Sequence, residues 1–277
     1  MPAINLKEAL QDILPQEEID CMVRGYDVLG DVAIIIIPET LRHREKEIAE
    51  AVLRTSPHLR VVAGRDGIHS GEFRTILLRK IAGTGGLTTL LTEFGIRLHV
   101  DPQVVYFSPR SKNERHRIAS LVECGERVLV MFSGIAPLPL MIGRHSEAAE
   151  VIGVEKNPEA HYLAVKNLKL NRRIKNVRLL CGDAGEIVPR LQGQFDRIAM
   201  PLPLTADKFL SCAIDALGAG GRLHYYDFQD KGQFDLAVDT LSQICKVKGR
   251  VLLGWKIHKC GHVSPGKYRI CLDAKIE

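Results

Sequence analysis

The sequence has no C-x-x-C pair among its seven cysteines, which lie scattered at positions 21, 124, 181, 212, 245, 260 and 271. That scatter argues against a zinc site, and the odd count argues against a disulfide framework. Cys260-Gly261-His262 could be a metal fragment, but no second Cys/His pair stands near it, so a structural role is expected. No apolar run approaches the roughly 20 residues that span a bilayer. The longest, Val32–Pro38, is strand-sized. The amino terminus is acidic and amphipathic, without the basic segment and small-residue cleavage site of a signal peptide. Internal repeats and low-complexity tracts are missing too. These absences point to a reducing cytoplasm, no membrane and no metal.

What is present is ordinary for a globular chain: 277 residues, 45% hydrophobic and 26% charged, enough for one large domain or two modest ones. A net charge of +5 permits a polyanionic partner, and fits a solvated lysine-rich surface equally well.

Two halves differ in pattern. In the first, Leu6, Leu10 and Leu14 mark a short helix within residues 1–20, and Tyr26–Pro38 reads as a hairpin turning at Leu29-Gly30-Asp31. A helix over Glu39–Pro57, a strand at Arg60–Gly64 and a strand pair within Gly85–Asp101 follow. Arginines are frequent here; Arg42, Arg44, Arg54, Arg60, Arg65, Arg74 and Arg79 could reach phosphates, or simply form a solvated basic face. In the second half, strands and helices alternate regularly: helix Glu114–Val122, strand Arg127–Phe132, strand Glu150–Lys156, helix Pro158–Asn171, strands Val177–Asp183 and Phe195–Pro201, helix Ala206–Leu217, strand Gly221–Phe228 and helix Gln233–Lys246. Such alternation specifies a doubly wound, mainly parallel sheet. Two closing strands joined by a short Gly/Pro connection suggest an antiparallel pair at one edge. The expected organisation is a small amino-terminal α/β domain over residues 1–99 and a Rossmann-like domain over residues 100–277.

Open α/β sheets bind ligands at the carboxyl ends of their strands. Three ends here carry suggestive residues. Gly134 follows strand Val128–Phe132, in a loop without the full G-x-G-x-x-G of a pyrophosphate binder. Glu155 ends the next strand, where a carboxylate can accept hydrogen bonds from both ribose hydroxyls. Asp183 ends the third, where a carboxylate and the following amide of Ala184 can meet an adenine edge. Singly these are turn and cap residues. In order on successive strands they favour an adenosine ligand without a pyrophosphate, which describes S-adenosyl-L-methionine. The fourth strand runs into Pro201-Leu202-Pro203, a stiff turn at the same edge.

Val105–Arg115 (VYFSPRSKNER), VMFSGIAP, GVEKNPEA, NLKLN and His224-Tyr225-Tyr226 resemble the archaeal and eukaryotic tRNA (guanine-37-N1)-methyltransferases. They are similar, almost equally, to the wyosine-pathway enzymes that transfer the 3-amino-3-carboxypropyl group of the same cofactor. GDVAIIIIPE and EFGIRLHVD resemble the small domain that precedes the catalytic domain in both. The resemblance implies a Rossmann-like S-adenosyl-L-methionine-dependent methyltransferase sheet behind an RNA-contacting domain, acting as a monomer on the tRNA anticodon loop. It implies cofactor-contacting roles for Ser108, Arg115, Gly134, Glu155, Lys156, Asp183, Ala184 and Pro201. Arg110, in Ser-Pro-Arg, matches the arginine implicated in methyl transfer; a cation suits the charge that builds on guanine O6 as the N1 proton leaves. Asp183 is the nearest candidate for the base. Arg110, Pro137 and Tyr226 side with the methyltransferases, whereas Glu155, where they often carry Asp, points mildly to the sister activity. Three features depart from the pattern. Pro201 takes the place of an Asn, Gly185 that of a longer residue, and only about 20 residues precede the first hairpin. Pro201 also keeps open a catalytically weakened RNA-binding paralogue.

Overall fold

The structure, a computed structural model, describes residues 6–22 and 25–277; the first five residues of the expected amino-terminal helix lie outside them. The chain divides into two compact units, one ending at Pro109 and the other spanning Arg110–Glu277.

In the first unit, Leu6, Leu10 and Leu14 are all buried, yet they do not share one helix. Helix α1 (Leu6–Leu10) stops and α2 (Gln16–Cys21) restarts after Pro15. A proline disfavours helical backbone in the residue before it, which separates the two. Strands β1 (Asp27–Leu29) and β2 (Val32–Ile35) form the expected hairpin. Gly30 turns it at φ +56°, and a Cβ there would sit 2.3 Å from Thr89 Oγ1 and 2.8 Å from the Leu90 carbonyl oxygen. Helix α3 (Glu45–Thr55) buries Ile48, Ala49, Ala51 and Val52; the expected first turn, Glu39–Arg44, is a tighter 3-10 turn instead. Strand β3 (Val61–Ser70) runs on past Gly64 and pairs with β4 (Thr75–Gly83). Sequence periodicity left residues 65–84 unassigned, because glycines interrupt the alternation. The sheet order is β1-β2-β3-β4, with β2 and β3 parallel. Strands β5 (Thr89–Glu93) and β6 (Ile96–Val100) make a separate hairpin.

The second unit opens with α4 (Lys112–Ser120) and β7 (Arg127–Met131), then α5 (Pro137–His145), β8 (Glu150–Glu155), α6 (Pro158–Leu170) and β9 (Val177–Cys181). A single turn, α7 (Ala184–Ile187), leads to β10 (Phe195–Met200), α8 (Leu210–Ala216), β11 (Leu217–Asp230), α9 (Asp235–Val247), β12 (Leu252–Ser264) and β13 (Lys267–Ile276). The sheet order is β12-β13-β11-β10-β7-β8-β9. Strands β7 to β11 are parallel, and β12 and β13 form the antiparallel edge pair expected from sequence. Successive strands step outward from β7 to β9, and β10 then returns to the other side of β7. The switch point therefore lies between β7 and β10, and their carboxyl ends flank the crevice where such sheets bind ligands.

One face of this sheet is apolar. Leu223, Tyr225, Ile270 and Leu272 pack there with Leu210, Ala213 and Ile214 of α8 and Leu241 of α9. Side chains alternate along a strand, so His224, Tyr226, Cys271 and Asp273 point to the opposite face. There Glu114 and Arg117 of α4 meet them.

Candidate active site

The loop after β7 is held in an unusual conformation. Phe132 and Ala136 adopt left-handed backbone (φ +58° and +65°), on either side of Gly134 at φ +56°. Left-handed geometry costs a non-glycine residue roughly 1–2 kcal/mol, and such strain gathers where a loop is shaped for a ligand. A Cβ on Gly134 would meet nothing within 4 Å, so open space faces its Cα. Proline at position 137 starts α5, and the Ala136 N–H donates to the Ser133 carbonyl at 2.9 Å.

Glu155, at the end of β8, ties this loop to the next. Its Oε2 accepts from the Gly134 N–H at 2.6 Å and its Oε1 from the Asn157 N–H at 2.8 Å. Burial pushes its pKa up, and the backbone N–H groups of Asn157, Gly134 and Lys156 oppose that shift. Asn157 caps α6 through the Glu159 N–H.

Asp183 follows β9 and accepts from the Gly185 N–H at 2.8 Å, capping α7. Lys156 Nζ lies 3.0 Å from its carboxylate. Burial alone would raise the Asp183 pKa, but the Lys156 ammonium and the Gly185 N–H hold it below the usual carboxylate range. A carboxylate kept ionised in this way is a weak proton acceptor. The pairing suits Asp183 to binding more than to the role of base.

Met200 ends β10, and the Leu202 N–H folds back to the Met200 carbonyl at 2.8 Å. This i to i+2 turn centres on Pro201, whose fixed φ fits it. Leu202 packs against the core, and Phe132 and Phe209 meet edge to face at 4.9 Å. Pro201 thus stands at the carboxyl end of β10, beside the switch point, with a ring that offers neither an N–H nor a polar side chain.

Arg115, which by sequence alone reads as an exposed helix residue, is buried on α4. Arg110 is exposed on the turn Pro109–Ser111 that leads into α4. Ser108 belongs to the first unit and is half-buried. The structure thus brings together Gly134 with Glu155, and Lys156 with Asp183 and Ala184. It places Arg110 on the turn that leads into α4 and Arg115 within that helix.

A second polar cluster was not read from the sequence. Arg197 is 1% exposed. It donates to Glu126 through Nε (2.7 Å) and Nη2 (2.8 Å), to the Leu121 carbonyl (2.6 Å) and, through Nη1, to His224 Nε2 (2.8 Å). A guanidinium only donates, so Nε2 is the acceptor and Nδ1 carries the proton. Nδ1 donates to Asp273 Oδ1 at 2.6 Å. Arg117 bridges Asp273 (2.5 Å) and Glu114 (2.7 Å), and the Tyr226 hydroxyl donates to Glu114 at 2.7 Å. The network fastens α4, the helix that carries Arg115, to the sheet. His224, Cys271 and Asp273 offer ligand atoms within 4.8 Å of one another. The Arg197 and Arg117 guanidiniums already occupy His224 and Asp273, so the trio is part of an ion-pair network. A signal was available: Arg197 and Asp273 are charges inside apolar strands, and a buried charge requires a partner.

The network makes stability pH-dependent. Burial pushes the His224 pKa down. At pH values below the ordinary ~6.5, the unfolded chain takes up a proton that folded His224 refuses, so stability falls as pH drops. Asp273 acts lower on the scale. Burial would raise its pKa, but His224 and Arg117 depress it strongly, and its contribution is lost as pH falls below the ordinary ~3.9. The melting temperature should stay level at pH 7–8 and fall from about pH 6.5 downward, with a shallower fall in His224→Gln. A flat profile between pH 5 and 7 would contradict this account.

In the first unit, several arginines considered as phosphate contacts have structural work. Arg60 binds Asp31 and the carbonyls of Thr84, Gly86 and Thr88; Arg79 binds Glu45 and Asp66; Arg42 pairs with Asp66 and Arg44 with Glu18 and Glu47.

Residues 89–253 match the TRM5/TYW2 methyltransferase domain, and residues 6–86 match the TYW2 N-terminal domain. The chain belongs to the TRM5/TYW2 family. A Pyrococcus abyssi relative, tRNA (guanine(37)-N(1))-methyltransferase Trm5b, is 34% identical over 267 residues, covering 95% of this chain and 78% of its own length. The tRNA(Phe) (4-demethylwyosine(37)-C(7)) aminocarboxypropyltransferase of Methanocaldococcus jannaschii is 28% identical, covering 91% of this chain and 98% of its own length. The crystal structure of M. jannaschii Trm5 in complex with adenosine superposes with a TM-score of 0.81 at 29% identity, covering 99% of this chain and 78% of that one. The M. jannaschii enzyme therefore has the same fold as this chain. Among the described residues no helix is long and apolar enough to cross a membrane.

Proposed function

We propose that the chain transfers the methyl group of S-adenosyl-L-methionine to N1 of guanine-37 in tRNA, acting as a cytoplasmic monomer. The observation that carries this reading is the succession of Gly134, Glu155 and Asp183 along the carboxyl edge of β7, β8 and β9, beside the switch point. The adenosine seen in a similar structure and the guanine-37 activity of a 34%-identical relative support it.

S-adenosyl-L-methionine supplies an electrophilic methyl on a sulfonium. Glu155, fixed by two backbone N–H groups, would hold the cofactor's ribose hydroxyls with its remaining lone pairs. Asp183, held ionised by Lys156, and the Ala184 amide would bind its adenine edge. The apolar turn at Pro201 and the Phe132 region keep water from the crevice. Arg110, exposed and cationic, would stabilise the charge that grows on O6 as the N1 proton passes to a base, for which Asp183 is the candidate acceptor, while the methyl moves from sulfur to N1 and S-adenosyl-L-homocysteine leaves. The remaining contribution is positioning of a base that has left its stack. The unit ending at Pro109 serves as an RNA-contacting domain.

A second reading has its own support. Residues 6–86 match the TYW2 N-terminal domain, and Glu155, where the methyltransferases often carry Asp, points mildly the same way. Under it, the same cofactor gives up its 3-amino-3-carboxypropyl group. Cofactor labelled in the methyl carbon or in the carboxyl carbon separates the two: methyl label in tRNA supports the proposal, and carboxyl label overturns it.

A further inference from the structure

The order of strands limits where a target base can approach. A cofactor with its adenine at Asp183 and its ribose at Glu155 runs its sulfonium toward Gly134, across the ends of β9, β8 and β7. In-line displacement puts the attacking nitrogen on the far side of the methyl from sulfur, so the base lies over the ends of β10 and β11. On that flank Pro201 offers no polar side chain. Asp183 sits at the other end of the row, paired with Lys156.

Strand β11 carries a carboxylate at the required place. Tyr225 pairs with Met200, the last residue of β10, and β11 continues past it. Asp227, two residues further, stands about 7 Å beyond the end of β10 at the rise of an extended strand. Side chains alternate along a strand, so Asp227 and Gln229 share the face of Tyr225. The loop after β10 packs Leu202, Ala206 and Phe209 on that same face. Asp227 is close to this loop: burial raises the Tyr225 pKa, and the charges of Asp227 and of Asp207, on the loop, raise it further.

The carboxylate is held in one orientation. Oδ1 accepts from the Phe228 N–H and Oδ2 from Gln229 Nε2, both at 2.7 Å. Each oxygen keeps a further lone pair. Asp227 is half-buried, and among the described residues no Lys, Arg or His lies within ion-pair distance of it, whereas Asp183 has Lys156 at 3.0 Å. Two parallel acceptors match the N1–H and N2–H donors that guanine presents on its Watson–Crick edge, the edge on which a flipped base is read. Adenine has an acceptor at N1, and hypoxanthine lacks the N2 amino group.

We infer that Asp227 pairs with N1–H and N2–H of guanine-37 and accepts the N1 proton. This rests on the guanine-37 reading above and gives it a base and a source of selectivity. The N1–H bond breaks and its proton goes to an Asp227 oxygen. The electron pair left on N1 bonds the methyl carbon, and the carbon–sulfur pair stays on sulfur, giving the neutral thioether S-adenosyl-L-homocysteine. Water then takes the proton from Asp227. Gln229 and the Phe228 N–H keep the carboxylate in place throughout.

The test is single-turnover methyl transfer by the full chain at saturating cofactor, to tRNA carrying guanine or hypoxanthine at position 37. Cofactor affinity and melting temperature are measured alongside. Asp227→Asn keeps the side-chain shape and removes the proton acceptor. Its rate on guanine-37 should fall about a hundredfold or more, the usual loss with a general base, while cofactor affinity and melting temperature stay put. Asp227→Glu should recover part of the rate, and Asp207→Asn should keep all of it. The wild type should favour guanine over hypoxanthine by about tenfold, the low end for one hydrogen bond to a charged group, and Asp227→Ala should lose that preference. If the wild type forms 1-methylguanosine and Asp227→Asn keeps its rate, Asp227 is not the base and the guanine-37 reading stands. If the wild type leaves guanine-37 unmodified, that reading falls and this inference with it.

Discussion

Arg197→Ala is expected to destabilise the Arg110–Glu277 unit by about 3–5 kcal/mol, the usual cost of removing one partner of a buried ion pair. The size follows from what is left behind. Glu126 is buried and takes two hydrogen bonds from the Arg197 guanidinium, at 2.7 and 2.8 Å. Without them its carboxylate is a charge in a poorly polar site, the Leu121 carbonyl loses its donor, and a cavity replaces the side chain. Removing both charges together should cost far less, because apolar residues of similar volume often replace a buried pair with little penalty. Arg197→Met/Glu126→Leu should therefore be more stable than Arg197→Ala, although His224 still loses its donor. Urea titration of the three proteins checks this. A loss below about 1 kcal/mol in Arg197→Ala, the range of exposed pairs, would mean that the pair is solvated in solution.

Glu155→Ala is expected to weaken S-adenosyl-L-methionine binding by a hundredfold or more. Each hydrogen bond to a charged group contributes about 1.5–3 kcal/mol, and two ribose hydroxyls would lose theirs. The same substitution releases the Gly134 and Asn157 N–H groups, so the loops after β7 and β8 lose the carboxylate that ties them. Glu155→Gln keeps one acceptor oxygen and the side-chain volume, and should fall between the two. Calorimetric titration reads all three, with melting temperature as the control for folding. Unchanged affinity in Glu155→Ala would remove Glu155 from the binding site.

The candidate site could be drawn from the sequence because its residues come one per strand end. Gly134, Glu155 and Asp183 each follow a run of apolar residues, and strand ends in a doubly wound sheet converge on one edge whatever the exact packing. The closing hairpin was legible for a similar reason: Pro265-Gly266 interrupts two β-rich runs. The Arg197 network was not legible. Its members come from α4, the turn before β7, β10, β11 and β13, and Arg117 meets Asp273 across 156 positions of sequence. Periodicity places each residue on a face but does not say which faces meet. The breaks at Pro15 and Gly64 failed differently. Pro15 splits the expected helix through a local backbone restriction, whereas β4 went unassigned because its place is set by antiparallel pairing with β3. The basic arginines of the first unit show the limit of charge counting, since Arg60 and Arg79 are positively charged side chains spent on neighbouring carboxylates.

The central claim is that this chain methylates N1 of guanine-37. Mass spectrometry of nucleoside 37, after reaction of unmodified tRNA with S-adenosyl-L-methionine, tests it most directly. The account predicts 1-methylguanosine at that position, and its loss in Glu155→Ala. Unmodified guanosine despite saturable cofactor and tRNA binding would contradict it, and would favour either a substrate already carrying the wyosine precursor or a chain that binds RNA without turnover.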